Sequence, residues 1–248
     1  MISKYELVNY NNKTGLWQIK ALISFNNIKA GDLGGWIEKE SNLAHDGDCW
    51  IYDNAKVYGD ATVFDNAEVY GDAKVFNNAE VYGDAEVFDK ALVYGHARVF
   101  ENARVFENAM IFNNAEVYGN ARVFENAEVY DVAWVYGHAK VGGDAKIGGN
   151  ARVFENAEVY GDAEVFDKAL VYGHAWIYNN AKVFDKAMVY GDAKVFENAE
   201  VYGDATVFDN AEVYGDAKVF NNAEVYGDAE VFENAEVYDV AWVYGHAK

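Results

Sequence analysis

A six-residue alanine period limits the possible folds of this chain more than any other feature. Alanine recurs at every sixth position from Ala55 to Ala247, and Val or Ile fills every sixth position from Ile51 to Val243. Cys49 stands in the alanine position one period earlier. A short fixed period is typical of a solenoid, in which each unit buries its apolar side by stacking on its neighbours. We therefore expect the repeat itself to be the fold.

Each six-residue unit predicts one short strand and one corner. Alternate side chains of an extended segment share a face, so Ala and Val point inward and the residue between them points outward. That outward position is mostly Glu, Lys or Arg, as on a solvated strand. An aromatic residue and a dipeptide such as Gly-Asp or Asp-Asn follow, and these dipeptides favour turns. A period of six does not fit an α-helix, so strands are favoured.

This spacing, over residues 49–248, resembles the hexapeptide repeat of left-handed parallel β-helices. The resemblance implies an all-β, single-stranded parallel β-helix (β-solenoid), left-handed and triangular, with three hexapeptides or about 18 residues per coil. The segment 123–140 recurs identically at 231–248, and this offset fits six coils of 18 or nine coils of 12. Tyr or Phe follows the aliphatic residue, where that family usually has a small or acidic one. A right-handed, four-sided coil like that of pentapeptide-repeat proteins stays the alternative.

Residues 1–48 lie outside the period. Residues 4–25 alternate like two strands joined by a turn, and "AGDLGGWIEKE" leads into the first coil. We expect residues 1–48 to form an N-terminal β cap and residues 49–248 to form the solenoid. The leader also resembles the start of uncharacterised bacterial and phage-encoded proteins with YGNA-type repeats, which implies no activity. At the other end "AWVYGHAK" stops in mid-pattern, and we expect either that a homodimer or a partner protein covers it or that the last coil frays.

Composition favours the cytoplasm and argues against a membrane segment. The chain has one cysteine, no proline and no apolar stretch of membrane length. Its start lacks the apolar core of a signal peptide. Cys49 shares the alanine column, so we predict a small buried side chain and not a nucleophile.

The histidine pattern argues against an enzyme. His96, His138, His174 and His246 all occur as Tyr-Gly-His-Ala, where Asp or Asn usually stands, so we interpret them as corner substitutions. Hexapeptide-repeat acyltransferases use a histidine beside a cleft framed by inserted loops, and zinc-dependent relatives need three converging histidines. The sequence shows neither arrangement. We predict no catalytic residue, no metal site and no cofactor; an acyltransferase-like enzyme and a passive spacer rod are the alternatives.

Four positions depart from the repeat in ways that indicate contact with a protein partner. Gly142 and Gly148 replace the aromatic residue, either through drift or to form a notch that another chain can approach. Trp134 and Trp242 are two of the seven apolar residues in the outward position, which is mostly Glu, Lys or Arg. The remaining Tyr and Phe residues should form rows along the coils, either as a contact surface or as a cover for the corners.

Charge is segregated in a way that indicates a basic partner. The net charge is −21, of which residues 1–48 carry −1. The outward positions balance 12 Glu against 12 Lys and Arg, so the excess of acid lies in the corners. Such ridges exclude nucleic acid as a ligand and indicate that the chain imitates nucleic acid to inhibit a nucleic-acid-binding protein. Alternatively, acids simply make good corners. The corner acids that we single out are Asp204, Asp209, Asp216 and Asp228.

Overall fold

The chain forms a three-sided parallel β-solenoid. A computed structural model describes residues 3–248 and contains two compact units, Met1–Asn120 and Ala121–Lys248. Strands of the repeat pair in parallel with the strands one coil before and after them, in about 12 coils of three strands each. The described residues contain no α-helix. The predicted all-β solenoid with about 18 residues per coil is therefore confirmed, and the two-sided and four-sided alternatives are wrong; handedness stays a prediction.

The first unit begins with three longer strands, β1 (Tyr5–Asn11), β2 (Leu16–Ala21) and β3 (Leu33–Ile37). Neighbours among these strands are antiparallel, but β3 also pairs in parallel with Lys56–Val57 of the first full coil. A 3-10 turn at Glu40–Asn42 follows, and Leu43 then bridges Val63 in parallel. Coil stacking thus starts at β3, within the segment expected to be the cap. The domain boundary at residue 48 stays a prediction.

Buried polar side chains join the first strands to the first coil. The Tyr5 hydroxyl donates to the Leu43 carbonyl oxygen at 2.8 Å, and the Tyr5 ring stacks on His45 with centroids 4.4 Å apart. The Lys4 ammonium is buried and donates to the Cys49 carbonyl oxygen at 3.0 Å. Burial raises the pKa of the Cys49 thiol. Cys49 is a small, fully buried side chain, as predicted.

The repeat strands of the first unit form three columns, which we call faces 1, 2 and 3. Twelve strands make up these columns: β4 (Trp50–Ile51), β5 (Lys56–Val57), β6 (Thr62–Val63), β7 (Glu68–Val69), β8 (Lys74–Val75), β9 (Glu80–Val81), β10 (Glu86–Val87), β11 (Leu92–Val93), β12 (Arg98–Val99), β13 (Arg104–Val105), β14 (Met110–Ile111) and β15 (Glu116–Val117). Face 1 begins at β5, face 2 at β6 and face 3 at β4, and every third strand continues the same face.

The second unit repeats this arrangement with seven strands per face. Face 1 contains β17 (Glu128–Val129), β20 (Lys146–Ile147), β23 (Glu164–Val165), β26 (Lys182–Val183), β29 (Glu200–Val201), β32 (Lys218–Val219) and β35 (Glu236–Val237). Face 2 contains β18 (Trp134–Val135), β21 (Arg152–Val153), β24 (Leu170–Val171), β27 (Met188–Val189), β30 (Thr206–Val207), β33 (Glu224–Gly227) and β36 (Trp242–Gly245). Face 3 contains β16 (Arg122–Val123), β19 (Lys140–Val141), β22 (Glu158–Val159), β25 (Trp176–Ile177), β28 (Lys194–Val195), β31 (Glu212–Val213) and β34 (Glu230–Val231).

The alanine and valine columns form the core of each unit. Every Ala, Val and Ile in these columns from residue 55 to residue 229 is fully buried. Equivalent residues stack in register, for example Val159 on Ile177, and the backbone ladder continues through bonds such as Glu158 N to Ala175 O at 2.9 Å. Alanine keeps the corners of this narrow core close together, and β-branched residues fill its sides.

Corners close by placing one residue in the left-handed region. Asp185 has φ 60° and Gly203, one coil later at the same corner, has φ 73°. A Cβ added to Gly203 would lie 2.8 Å from the backbone nitrogen of Asn221 in the next coil. Both the positive φ and the close approach of the next coil favour glycine at Gly203, although Asp185 and Asn221 take a positive φ at the equivalent position one coil away.

At these corners, an acidic residue one coil before a glycine stabilises the backbone. Gly203 N–H donates to the Asp185 carboxylate at 3.1 Å, and Gly173 N–H donates to the Glu155 carboxylate at 2.9 Å. Each pair joins consecutive coils at one corner. Part of the acidic composition is thus explained by capping of exposed backbone N–H groups.

The buried alanine column gives a stability prediction. We expect Ala163→Leu to lower stability by ~1–3 kcal/mol, because added methylenes must overpack a close-packed core. Lys146→Leu places the same side chain on an outward position and serves as the control. Urea unfolding of both variants checks this; an equal midpoint for Ala163→Leu and the wild type would contradict the inward position of alanine.

The glycine corners give a second prediction. Gly203→Ala should destabilise the chain more than Gly245→Ala does, although both glycines have φ near +70°. The reason is that a Cβ on Gly245 meets nothing within 4 Å, whereas one on Gly203 meets backbone. We expect ~1 kcal/mol from the unfavourable φ alone, and a further loss for Gly203→Ala. Thermal unfolding measures the difference; equal losses would show that coil-to-coil contact does not select glycine.

Candidate functional site

Aromatic residues at the strand ends form stacked ladders. On face 2 of the second unit the centroids of consecutive rings are 4.8–5.4 Å apart and the ring planes differ by only 1–13°. This ladder consists of Tyr136, Phe154, Tyr172, Tyr190, Phe208, Tyr226 and Tyr244. Since each ring face within it is covered by the next ring, the ladder offers its edges to solvent. Stacking of bases or sugars needs free ring faces, so we do not assign such ligands to the ladder.

The glycine gaps in the other two ladders are closed. Gly142 and Gly148 are buried. The rings of Phe124 and Tyr160, two coils apart, approach across Gly142 to a centroid distance of 5.9 Å, edge to face. A Cβ on Gly148 would collide with the Tyr130 ring. The adjacent rings thus occupy the space that the missing side chains leave, so no open notch is present at either glycine. A role of Gly142 and Gly148 in partner contact stays a prediction.

The second unit separates charge by position. Its 23 acidic residues include eight in outward strand positions, where eight Lys and Arg balance them. Ion pairs join several of these, such as Lys140 to Glu158 at 2.8 Å and Lys194 to Glu212 at 2.9 Å. The other fifteen acids lie in corners, where only Lys168 and Lys186 oppose them. The negative charge of this unit is therefore concentrated at the edges of the triangle.

The four predicted acids are exposed but do not share one surface. Asp204 lies at the edge between faces 1 and 2, Asp209 and Asp228 lie between faces 2 and 3, and Asp216 lies between faces 3 and 1. The three edges of a triangle point in different directions, so one flat partner cannot contact all four. The six-residue pattern could not show this, since only the register of the coils assigns a corner to an edge.

One edge of the second unit is more acidic than the others. We call it edge 3–1, because it joins face 3 to face 1. Six of its seven corners carry an acid and none carries Lys or Arg. Its acids are Glu125, Asp144, Asp162, Glu197, Asp216 and Glu233. Two of them accept bonds from the preceding coil, Asn126 to Asp144 at 2.9 Å and Asn198 to Asp216 at 3.0 Å.

Face 2 of the second unit is distinct from the two charged faces. Its outward column contains no acid over five consecutive coils. The full column is Trp134, Arg152, Leu170, Met188, Thr206, Glu224 and Trp242. The structure thus brings the two predicted tryptophans into one column, six coils apart. Sequence reasoning missed Leu170 and Met188. Writing the sequence in rows of one coil each would have placed them in the same column as both tryptophans.

The repeat histidines lie on corners, as predicted. His138, His174 and His246 share the edge between faces 2 and 3 of the second unit, and His96 lies in the first unit. His246 is exposed, and its Nδ1 lies 3.5 Å from an Asp228 carboxylate oxygen. Within residues 3–248 no group of three His, Cys, Asp or Glu side chains is placed to hold a metal ion. The prediction that the chain is not an enzyme stays a prediction.

Comparison with known proteins gives a short likeness. No known protein family matches the chain. An uncharacterized acetyltransferase, YdcK, of Escherichia coli (strain K12) is 50% identical over 42 residues. These residues are 17% of this chain and 13% of the relative, so the match covers about an eighth of that protein. The likeness is consistent with a hexapeptide-repeat β-helix; the resemblance to phage-encoded proteins stays a prediction.

The described residues contain no candidate for a membrane-spanning helix. Over residues 3–248, no helix has the length and apolar character needed to cross a bilayer.

Burial of the ring ladders predicts an alkaline transition. Burial raises the pKa of Tyr160 to about 12, and Glu158 adds to the shift. The folded state thus favours the neutral phenol, and the resulting stability is complete below pH ~10 and is lost as the pH rises toward 12. Absorbance at 295 nm should show one tyrosine fewer titrating near pH 12 in Tyr160→Phe. A loss of signal near pH 10 instead would contradict the burial of this ring.

Proposed function

We propose that this chain is a protein-binding β-solenoid whose edge 3–1 occupies the nucleic-acid site of a basic protein. The observation that carries the proposal is the row of six acids without a base on that edge. Coils follow each other at ~4.8 Å, so the edge carries about one charge per coil. A single DNA strand carries a phosphate per ~3.4 Å of helix axis. With six acids on seven corners, the edge carries a row of charges with somewhat over half the linear charge density of one DNA strand.

The balance of the outward columns supports a specific role for the edge. Solubility needs net charge, but the position of that charge does not matter for it. Solubility therefore does not explain why the strand faces are neutral while the edges carry the whole excess of acidic residues. On face 1, Glu and Lys alternate in every coil from Glu128 to Glu236. The backbone and Asn bonds described above explain some corner acids. They do not explain why Asp and not Asn stands at a position such as Asp216. The bond from Asn198 needs only an accepting oxygen, which an Asn side chain also has.

Neutralising the edge should reduce binding without unfolding the chain. The test variant is Asp144→Asn, Asp162→Asn and Asp216→Asn together, which keeps an oxygen acceptor at each corner. The matched control is Glu164→Gln, Glu200→Gln and Glu236→Gln, which removes three charges from face 1. Each immobilised protein is exposed to lysate of the native host and eluted with a short DNA duplex. We expect nucleic-acid-binding proteins in the wild-type and control eluates and several-fold less in the edge variant.

Salt gives an independent readout of the same proposal. Capture by the wild type should fall steeply between 50 and 200 mM salt, as it does for contacts that replace phosphates. Equal capture by the edge variant and the wild type would refute the role of edge 3–1. An absence of DNA-eluted proteins would refute nucleic-acid mimicry and favour the passive spacer.

The acetyltransferase likeness favours one second candidate, an acyltransferase-like enzyme. The supporting observation is the 42-residue match, whose length equals seven six-residue units. Titration calorimetry with acetyl-CoA tests this candidate directly. Micromolar binding that is lost on changing one corner histidine, such as His174→Ala, would establish it in place of the binding protein.

A further inference from the structure

We propose that face 2 of the second unit binds a second copy of this chain, antiparallel, with the two-fold axis at Met188. Face 2 is a different surface from edge 3–1, which lies at the corner of the triangle opposite face 2. The dimer proposed here therefore does not use edge 3–1. It also differs from a dimer through the end of the chain. Two columns of residues support this dimer, the outward column of face 2 and the corner column that precedes it.

The outward column of face 2 is symmetric about Met188. Trp134 and Trp242 lie three coils on either side of Met188, within the identical segments 123–140 and 231–248. Leu170 and Thr206 lie one coil on either side. Consider a two-fold axis that passes through the interface at Met188 and runs parallel to the strands. This axis reverses the order of the coils and places the outward column of one copy over the same column of the other copy. Each tryptophan then meets the other tryptophan of the second copy, as an isologous interface requires.

The charges of this column complement each other under the same rotation. Arg152 is the only base and Glu224 the only acid in the column, and each lies two coils from Met188, on opposite sides. Neither forms an ion pair within the described part of the chain; the Arg152 guanidinium lies over the Trp134 ring at 4.4 Å. The rotation places each Arg152 opposite the Glu224 of the second copy. Two unpaired charges thus become two intermolecular ion pairs flanking an apolar centre.

The corner residues that precede face 2 repeat this symmetry. Lys168 and Asp204 lie one coil on either side of the axis, so the rotation pairs them twice. Val132 and Val240, 40% and 75% exposed, lie three coils on either side and meet each other. Lys186 lies on the axis, where its own Asp204 carboxylate at 3.3 Å offsets the repulsion between the two copies. One rotation therefore satisfies two neighbouring columns.

The area of face 2 suits a reversible dimer. Seven coils at ~4.8 Å and a face about 15 Å wide give roughly 500 Å² per copy, or about 1,000 Å² in total. This value is at the lower end of specific interfaces. We therefore expect dissociation in the micromolar range.

Charge reversal tests the pairing. Arg152→Glu alone and Glu224→Arg alone should each weaken dimerisation at least about tenfold, since each creates two like-charge contacts. The double variant Arg152→Glu with Glu224→Arg should restore it to within about threefold. Lys146→Glu, on face 1, is the control for charge and should leave the dimer intact. Sedimentation equilibrium between 1 and 200 µM measures all four, with circular dichroism to confirm folding.

Cysteine cross-linking tests the register. Met188→Cys lies on the axis and should form a disulfide-linked dimer on mild oxidation. Leu170→Cys alone should not cross-link, but a mixture of Leu170→Cys and Thr206→Cys should. A folded wild type that stays monomeric at 200 µM would overturn the proposal and leave face 2 to a different protein partner. A dimer whose affinity the double variant fails to restore, or one that cross-links through Leu170→Cys alone, would overturn this register.

Discussion

Stacking of each residue on its counterpart one coil later, as Val159 stacks on Ile177, is the constraint on which the whole structure depends. The inward Ala and Val columns need only a six-residue repeat, because all three faces bury the same residue types. The outward positions differ, because a side chain contacts only those one coil before and after it. Core and surface are therefore encoded at different periods in one sequence. A change that the core tolerates can still rearrange every surface contact.

The coil length determines how the 12-residue alternation of Tyr and Phe units is arranged in the structure. Tyr-Gly or Tyr-x units alternate with Phe units through residues 184–232. A coil holds three units, an odd number, so this alternation appears along every edge as an alternation from coil to coil. Glycine and a side-chain-bearing residue therefore tend to follow each other at one corner, as Asp185 and Gly203 do, and the carboxylate caps the glycine N–H. The same arithmetic places Tyr over Phe in the ladders.

Much of the fold was predictable and most of the surface was not. Strict spacing of Ala and Val predicted buried strands, and the repeated segment 123–140 allowed coils of three units. The number of units per coil decides which edge each corner acid lies on. The repeated segment was compatible with both two and three units per coil, so the sequence alone could not assign the acids to edges. The contact that closes the space at Gly142 could not be predicted from the repeat pattern either, because Phe124 and Tyr160 lie two coils apart. Face 2 was partly visible, through Trp134 and Trp242, but not as one column.

The most direct test of separate core and surface periods is to lengthen the chain by one unit or by one coil. Duplicating residues 193–198 adds one unit, and duplicating residues 193–210 adds one coil. Both variants should keep the wild-type circular dichroism spectrum and a similar urea midpoint, because both keep the Ala and Val columns. Only the one-coil variant should still dimerise in sedimentation equilibrium, since a single unit moves Glu224 and Trp242 to another face. Unfolding of the one-unit variant, or equal dimerisation of both, would contradict this account.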